Sequence, residues 1–230
     1  MRPLGRCLGD ASGRAATFQK RLDSLNRHLP NKAESTDRIE ALSDGLFAVA
    51  LTLLILDLRV PEVRDVPAGV LPAFLQLLPR IAIYIVSYLV VGYCWIWHHL
   101  TFAVIERSTR GLLWINLLAL VAVSFLPFST AFVARYPAAT ASVVIYGLNL
   151  LWFSIMLNVV WAYAVRKRLV AELDDATITA STRRSYIVTI LCVIAIALSF
   201  VNPHLGLVMY VLIPIGYVLT GSRNALAEPS

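Results

Sequence analysis

Residues Ser185–Ser222 read SYIVTILCVIAIALSFVNPHLGLVMYVLIPIGYVLTGS, thirty-eight positions without Asp, Glu, Lys or Arg. About eighteen such residues suffice to cross a ~30 Å hydrocarbon core as a helix, so this run is too long for one crossing and long enough for two. Asn202-Pro203-His204 divides it, because proline lacks the N–H a helix interior needs and its ring clashes with the preceding turn. The halves, Ser185–Val201 and Leu205–Ser222, are expected to be successive spans. Three more uncharged runs lie upstream: Ile81–Ile105, Gly111–Ala134 and Tyr136–Val165. Composition agrees. Of 230 residues, 58% are hydrophobic and 15% charged, where soluble domains average roughly half and a quarter. The reading is an all-α polytopic membrane protein. It excludes a soluble enzyme, a nucleic-acid-binding domain and a disulfide-stapled secreted module.

Working outward from that run gives six transmembrane helices. The first covers about Ile39–Leu58 and is stopped by Arg59-Val60-Pro61. Pro61–Pro79 hold four prolines and read as a loop with room for a short interfacial helix, not a crossing. Arg80–Ile105 is the second span, Gly111–Ala134 the third, with Pro127 a kink position, and Pro137–Val165 the fourth. The charged segment Arg166–Arg184 is a loop. Basic residues orient the spans: with the N-terminus inside, sixteen of the twenty Lys and Arg fall on the cytoplasmic side, leaving Arg59, Arg64, Arg80 and Arg135 outside. Both termini are therefore expected to be cytoplasmic. The domain reading is a basic tail over 1–37, partly disordered, a transmembrane domain over 38–222 and a short tail over 223–230. The net charge of +6 is mostly topology. Cys7, Cys94 and Cys192 have no metal-ligand spacing and read as small hydrophobes.

Five helices are free of charge and the first is not. Arg38, Glu40 and Asp44 open it and Asp57 ends it. An ionisable group within a span is costly and marks function by default, although Glu40 and Asp57 also suit the membrane interfaces. Asp44 lies a turn and a half past Arg38 with Ser43 beside it, a spacing that reads as an Arg–Asp pair with a hydroxyl, satisfying a buried carboxylate. Further along, Val49, Thr52, Leu53 and Leu56 fall at i, i+3, i+4 and i+7 and so share one face. Spacing alone does not separate a pore face from a lipid-facing stripe.

Arg38-Ile39-Glu40-Ala41-Leu42-Ser43-Asp44-Gly45, running on through Phe47-Ala48-Val49-Ala50-Leu51-Thr52-Leu53 to Leu58, resembles the first-helix signature of the transmembrane protein 175 family, the lysosomal potassium channel of animals and its prokaryotic homologues. Leu42 stands where that signature has Phe. Trp95-Ile96-Trp97-His98-His99 and Leu126-Pro127-Phe128-Ser129-Thr130 add weaker similarity, and the likeness spans roughly residues 37–222. It implies a potassium-permeable cation channel of the cell membrane, a homotetramer whose first helices line a central pore and which lacks a Thr-Val-Gly-Tyr-Gly filter. It implies an apolar constriction at Val49, Leu53 and Leu56, a hydroxyl layer for ion selectivity at Thr52, and a network of Arg38, Ser43 and Asp44 braced by Trp95 and His98. Val49 is smaller than the residue usual at its position. The family needs no cofactor beyond the permeant K+. Rings of apolar side chains gate by dewetting, and hydroxyl oxygens stand in for part of a cation's hydration shell.

Other features read as structure. Val90-Val91-Gly92-Tyr93 is filter-like in letters but lies within an apolar helix, with Gly92 expected to permit close packing. His98 and His99 point about 100° apart, so one metal is not readily held by both; an interfacial aromatic belt is the alternative to bracing the first helix. Asn116, Asn149 and Asn158 read as buried amides joining helices, and Tyr146 and Trp161 as packing residues. No nucleophile–His–acid set, HExxH motif or phosphate loop is present, so no enzymatic activity is expected. A secondary transporter of a small ion or solute is the alternative function, and it would call for midplane charge and internal repeats, neither of which is visible.

Overall fold

The computed structural model describes residues 36–60 and 69–225, with side chains to residue 216. Most of the basic N-terminal tail, the loop prolines Pro61 and Pro67, and most of the short C-terminal tail lie outside the described residues. Six helices follow in order: α1 (Asp37–Leu53), α2 (Val70–Phe102), α3 (Arg110–Arg135), α4 (Thr140–Arg166), α5 (Asp175–Val201) and α6 (Pro203–Ala225). A 3-10 turn over Leu54–Asp57 extends α1, and the two together form an apolar segment of 21 residues. This segment and α2 to α5 are each long and apolar enough to cross a membrane. The backbone of α6 runs for 23 residues, ~35 Å at 1.5 Å per residue, and its described part Pro203–Gly216 is apolar.

The break at Asn202 separates two helices as expected. Asn202 is extended (φ −154°, ψ 122°), the conformation that a following proline favours, and its side-chain oxygen accepts from the His204 N–H at 2.9 Å. Two other boundaries differ from the sequence reading. The second span starts at Val70, ten residues before Arg80. Pro72 falls in the first turn, where the backbone N–H has no intrahelical partner in any case. Pro79 forfeits one hydrogen bond without ending the helix, since Ala73, Leu75, Leu77 and Leu78 around it are good helix formers. The segment Arg166–Arg184 is a loop only as far as Asp174. From Asp175, Ala176 and Ala180 carry α5 onward through Arg183 and Arg184.

Packing runs largely in chain order, α3 on α4, α4 on α5 and α5 on α6, while α1 lies against α2 and α3. The most buried helix is α4, and Phe153 on it meets Phe47 of α1 edge-on, with ring centroids 6.0 Å apart. Two glycines allow the closest approaches. A Cβ on Gly147 would lie 1.9 Å from the Tyr210 hydroxyl, and one on Gly206 would lie 2.0 Å from Ser199 Oγ. Gly92 does not share this role, because a Cβ there would meet nothing within 4 Å. The Val90–Tyr93 stretch is continuous α-helix, which cannot form the extended loop of a carbonyl filter.

At the end of the bundle where α1 begins, the α2–α3 and α4–α5 connections are joined by an antiparallel bridge of Ile105 and Val170. The Glu106 N–H donates to the Leu169 carbonyl at 2.9 Å and the Ala171 N–H to that of Val104 at 2.8 Å. Ile39 of α1 packs into the apolar cluster beneath them, with Phe102, Leu112 and Val160.

Candidate functional site

Helix α1 has two unlike faces. Ile39, Ser43, Phe47, Ala50 and Leu54 are buried against the rest of the chain, at the 3–4-residue spacing of a helix stripe. The opposite face carries Leu42, Val49, Thr52, Leu53 and Leu56, all exposed in the single chain, Val49 at 52% and Leu56 at 67%. Beyond Leu53 the winding tightens to a 3-10 turn. Side chains three apart eclipse in that geometry, so Leu56 lies over Leu53 and the stripe stays aligned to the end of the helix. From Val49 to Leu56 it covers ~12 Å of axis, at 1.5 Å rise per α residue and 2.0 Å per 3-10 residue. No charged residue interrupts it between Asp44 and Asp57.

The Thr52 hydroxyl is committed to its own backbone. Its proton is shared between the carbonyls of Val49 (2.8 Å) and Ala48 (3.0 Å), the back-bonding habit of helical threonine. With the proton turned inward, the oxygen presents lone pairs outward. Thr52 can therefore offer a dipole to a cation without a rotor to reorient.

The residues of the first-helix motif are placed as follows. Ser43 is fully buried and donates to the Ile39 carbonyl at 2.8 Å. Its oxygen accepts from Asn116 Nδ2 of α3 at 3.1 Å. Asn116 Oδ1 in turn lies 2.9 Å from His98 Nε2 of α2. Because the Asn116 amide N–H is directed at Ser43, its oxygen must accept, so His98 carries the proton on Nε2. The His98 ring stacks on Phe102, centroids 4.5 Å apart, and meets Phe47 edge-on at 5.7 Å. Asp44 accepts from the Trp95 indole N–H at 2.8 Å, and Trp95 stacks on His99.

The pairing of Arg38 with Asp44 that the sequence suggests is not formed among the described residues. Both side chains are exposed in the single chain, and the carboxylate takes an aromatic donor from α2 instead. Six helical residues turn the two side chains about 120° apart around the axis, so Arg38 does not face Asp44. The sequence reading also missed Asn116 as the centre of the cluster. It was legible as a buried helix-joining amide, but its link to Ser43 spans 73 residues, and one sequence carries no sign of such a pairing.

The other amides also join helices. Asn149 donates to Ser129 of α3 at 3.1 Å, and Asn158 donates to Thr189 and accepts from Ser185 on α5. Trp161 donates to Thr182 at 2.8 Å, and Tyr146 meets Tyr210 edge-on at 5.6 Å. Cys94 and Cys192 are buried free thiols. Among the described residues no group of three or more His, Cys, Asp or Glu is placed to hold a metal.

A multi-pass helical membrane protein, with one uncharged helix face left open and that helix pinned from behind by two polar contacts, is the class that this geometry defines. Comparison with known proteins then supplies the family. A family profile described as "Endosomal/lysosomal potassium channel TMEM175" matches residues 38–127. A protein of Streptomyces collinus named a potassium channel is 34% identical over 186 residues, covering 78% of this chain and 90% of that one. The human endosomal/lysosomal proton channel TMEM175 is 39% identical over 113 residues, a match covering 45% of this chain and 22% of the human one. Among solved structures, a lysosomal potassium-selective channel TMEM175 homologue from Chamaesiphon minutus superposes with a TM-score of 0.72 at 31% identity, covering 80% of this chain and 97% of that chain. The chain belongs to the TMEM175 family, on its prokaryotic side.

Proposed function

We propose that the protein is a potassium-permeable cation channel of the cell membrane, carrying passive K+ flux along the axis of a homotetramer. The observation that carries the reading is the open face of α1, on which Val49, Thr52, Leu53 and Leu56 are exposed in the single chain. Four copies of that face around an axis enclose an apolar neck from Val49 to Leu56, with Thr52 as its polar layer. Val49, Leu53 and Leu56 form the constriction and control conduction by wetting and dewetting. The four Thr52 oxygens replace part of the hydration shell of K+ and favour it over Na+. Relatives named potassium channels support the choice of ion. The excess of Lys and Arg on the side where α1 begins supports cytoplasmic N- and C-termini. Arg38, Ser43, Asp44, Trp95 and His98 act on the helix and not on the ion, and residues 38–222 constitute the channel domain.

The test is the reversal potential in opposed K+ and Na+ gradients after reconstitution. Thr52→Ala is expected to move it toward the value of an unselective pore while current persists, and Thr52→Ser to restore most of the preference. Unchanged selectivity in Thr52→Ala would overturn the role of Thr52. Current that saturates at a fixed coupling ratio to a second solute would overturn the channel itself.

A further inference from the structure

Beside the end of α1 lies a cavity of about 240 Å3, bounded on one side by Leu53 and Leu56 of the proposed neck and on the others by α2 and α3. Its floor is apolar, with Leu54, Ile83 and Pro127 among the lining residues, and its rim carries Asp57, Arg59 and Arg80. The chain folds to put them there. The Leu58 N–H donates to Ile55 and the Arg59 N–H to the Asp57 carbonyl at 3.1 Å, and this tight turn brings Asp57 and Arg59 to the same opening. Arg80 comes from α2, one residue after Pro79. Among the described residues these three charges form no ion pair with one another. Thr130 of α3 lines the same cavity, is 6% exposed, and its hydroxyl has no hydrogen-bond partner among the described residues.

The chemistry of the rim selects a ligand with two charges. Guanidinium groups match phosphate oxygens bidentately, whereas a carboxylate beside them disfavours a simple anion and suits an ammonium group. Arg80 is the last charge before the uncharged run Ile81–Ile105, so the cavity lies at the margin of the hydrocarbon, where long basic side chains reach headgroups. Its volume is below the ~300–1,000 Å3 of sites for drug-sized molecules and fits a headgroup, with acyl chains left outside among the helices. From this we infer that the cavity binds the phosphoethanolamine headgroup of a membrane phospholipid, Arg59 and Arg80 holding the phosphate and Asp57 the ammonium.

The full-length oligomer in detergent, offered an equimolar mixture of phosphatidylethanolamine and phosphatidylcholine, tests this by native mass spectrometry. The two lipids share the phosphate, but the choline ammonium cannot donate a hydrogen bond. Wild type is expected to retain the ethanolamine lipid several-fold over choline. Arg59→Ala with Arg80→Ala should cut its retention at least about tenfold, the scale of one lost charge-assisted hydrogen bond. Asp57→Asn should bring the ethanolamine lipid down to the choline level while choline retention stays unchanged. If the double variant loses the oligomer, the lipid ratio in Asp57→Asn carries the test alone. Equal retention of the two lipids by wild type, or an unchanged ratio in Asp57→Asn, would overturn the inference. Water-soluble glycerophosphoethanolamine at the lipid's concentration should displace nothing, and displacement by it would assign the site to a free phosphate ester and overturn the lipid. None of these readouts involves ion flux, so they stand apart from the test of Thr52.

Discussion

Trp95 of α2 donates its indole N–H to the Asp44 carboxylate of α1 at 2.8 Å, while the adjacent residue, Ser43, is bonded through Asn116 to α3. Successive residues on a helix point about 100° apart. Two contacts from consecutive positions to two different helices therefore fix the rotation of α1 about its own axis. That rotation decides which side chains face away from the bundle, six to thirteen residues further on, at Val49 to Leu56. The polar residues near the start of α1 and the apolar residues along its open face are parts of one arrangement.

Trp95→Phe keeps a ring that can stack on His99 and removes only the donor. Interhelical hydrogen bonds in membrane proteins are worth ~0.6–2 kcal/mol, and the Asp44 side chain is exposed in the single chain. The expected loss is therefore at the low end, about 1 kcal/mol. Thermal unfolding of the detergent-solubilised protein measures it. A variant as stable as wild type would show that the bond does not hold α1.

Asn116 makes two contacts, and its removal is expected to cost more. Asn116→Leu leaves the buried His98 N–H without its acceptor and breaks the tie to Ser43, a loss of about 1–3 kcal/mol. The sharper test is a double-mutant cycle. Ser43→Ala alone should destabilise by about 1 kcal/mol, and in the Asn116→Leu background by clearly less, because the shared bond is already absent. Strictly additive losses in thermal unfolding would mean that Ser43, Asn116 and His98 do not act as a unit.

The helices were readable from sequence because their signal is local. Runs without charge announce membrane crossings, and Pro203 after Asn202 splits the last one by chain chemistry alone. The open face of α1 was readable for the same reason, as Val49, Thr52, Leu53 and Leu56 lie within eight residues. The failures have a common cause too. Pro72 and Pro79 suggested a loop because proline is costly in a helix interior, yet its cost depends on position in the turn and on the leucines around it. Arg38 is the cation near Asp44 in sequence, whereas its partner Trp95 lies 51 residues away. Gly92 and Gly147 look alike in sequence. Packing distinguishes them, by placing Tyr210 of α6 and Ile196 of α5 over Gly147.

The proposed neck along α1 gives a prediction about conduction. Val49 is the smallest of the three apolar residues of the stripe and is followed one turn later by Thr52. A polar side chain at Val49 would let water persist between the Thr52 layer and the mouth, since a hydrophobic neck gates by excluding water. Val49→Asn is expected to raise single-channel conductance and to weaken discrimination between K+ and Na+. Val49→Leu, with a bulkier apolar group, should lower conductance with selectivity kept. Planar-bilayer recording checks both, and conductance indifferent to either change would place the constriction elsewhere.

The two glycines predict opposite outcomes for the same substitution. A methyl group on Gly147 would lie 1.9 Å from the Tyr210 hydroxyl and 2.8 Å from Ile196 Cγ1. Tyr210 is itself held edge-on against Tyr146 and has little room to withdraw. Overpacking of this kind costs about 1–3 kcal/mol, so Gly147→Ala should lower the unfolding temperature. Adding Tyr210→Phe removes the hydroxyl oxygen that makes the shortest contact, and part of the loss should return. The recovery is incomplete because the ring carbon beneath it, Cζ, still lies 2.7 Å away. Gly92→Ala meets open space and exchanges the poorer helix former for the better one, a gain of up to about 1 kcal/mol. Because both sites are helix interiors, any difference in sign between the two alanine variants reports packing and not propensity. If both variants raised the unfolding temperature, the close approach of α6 to α4 at Gly147 would be refuted.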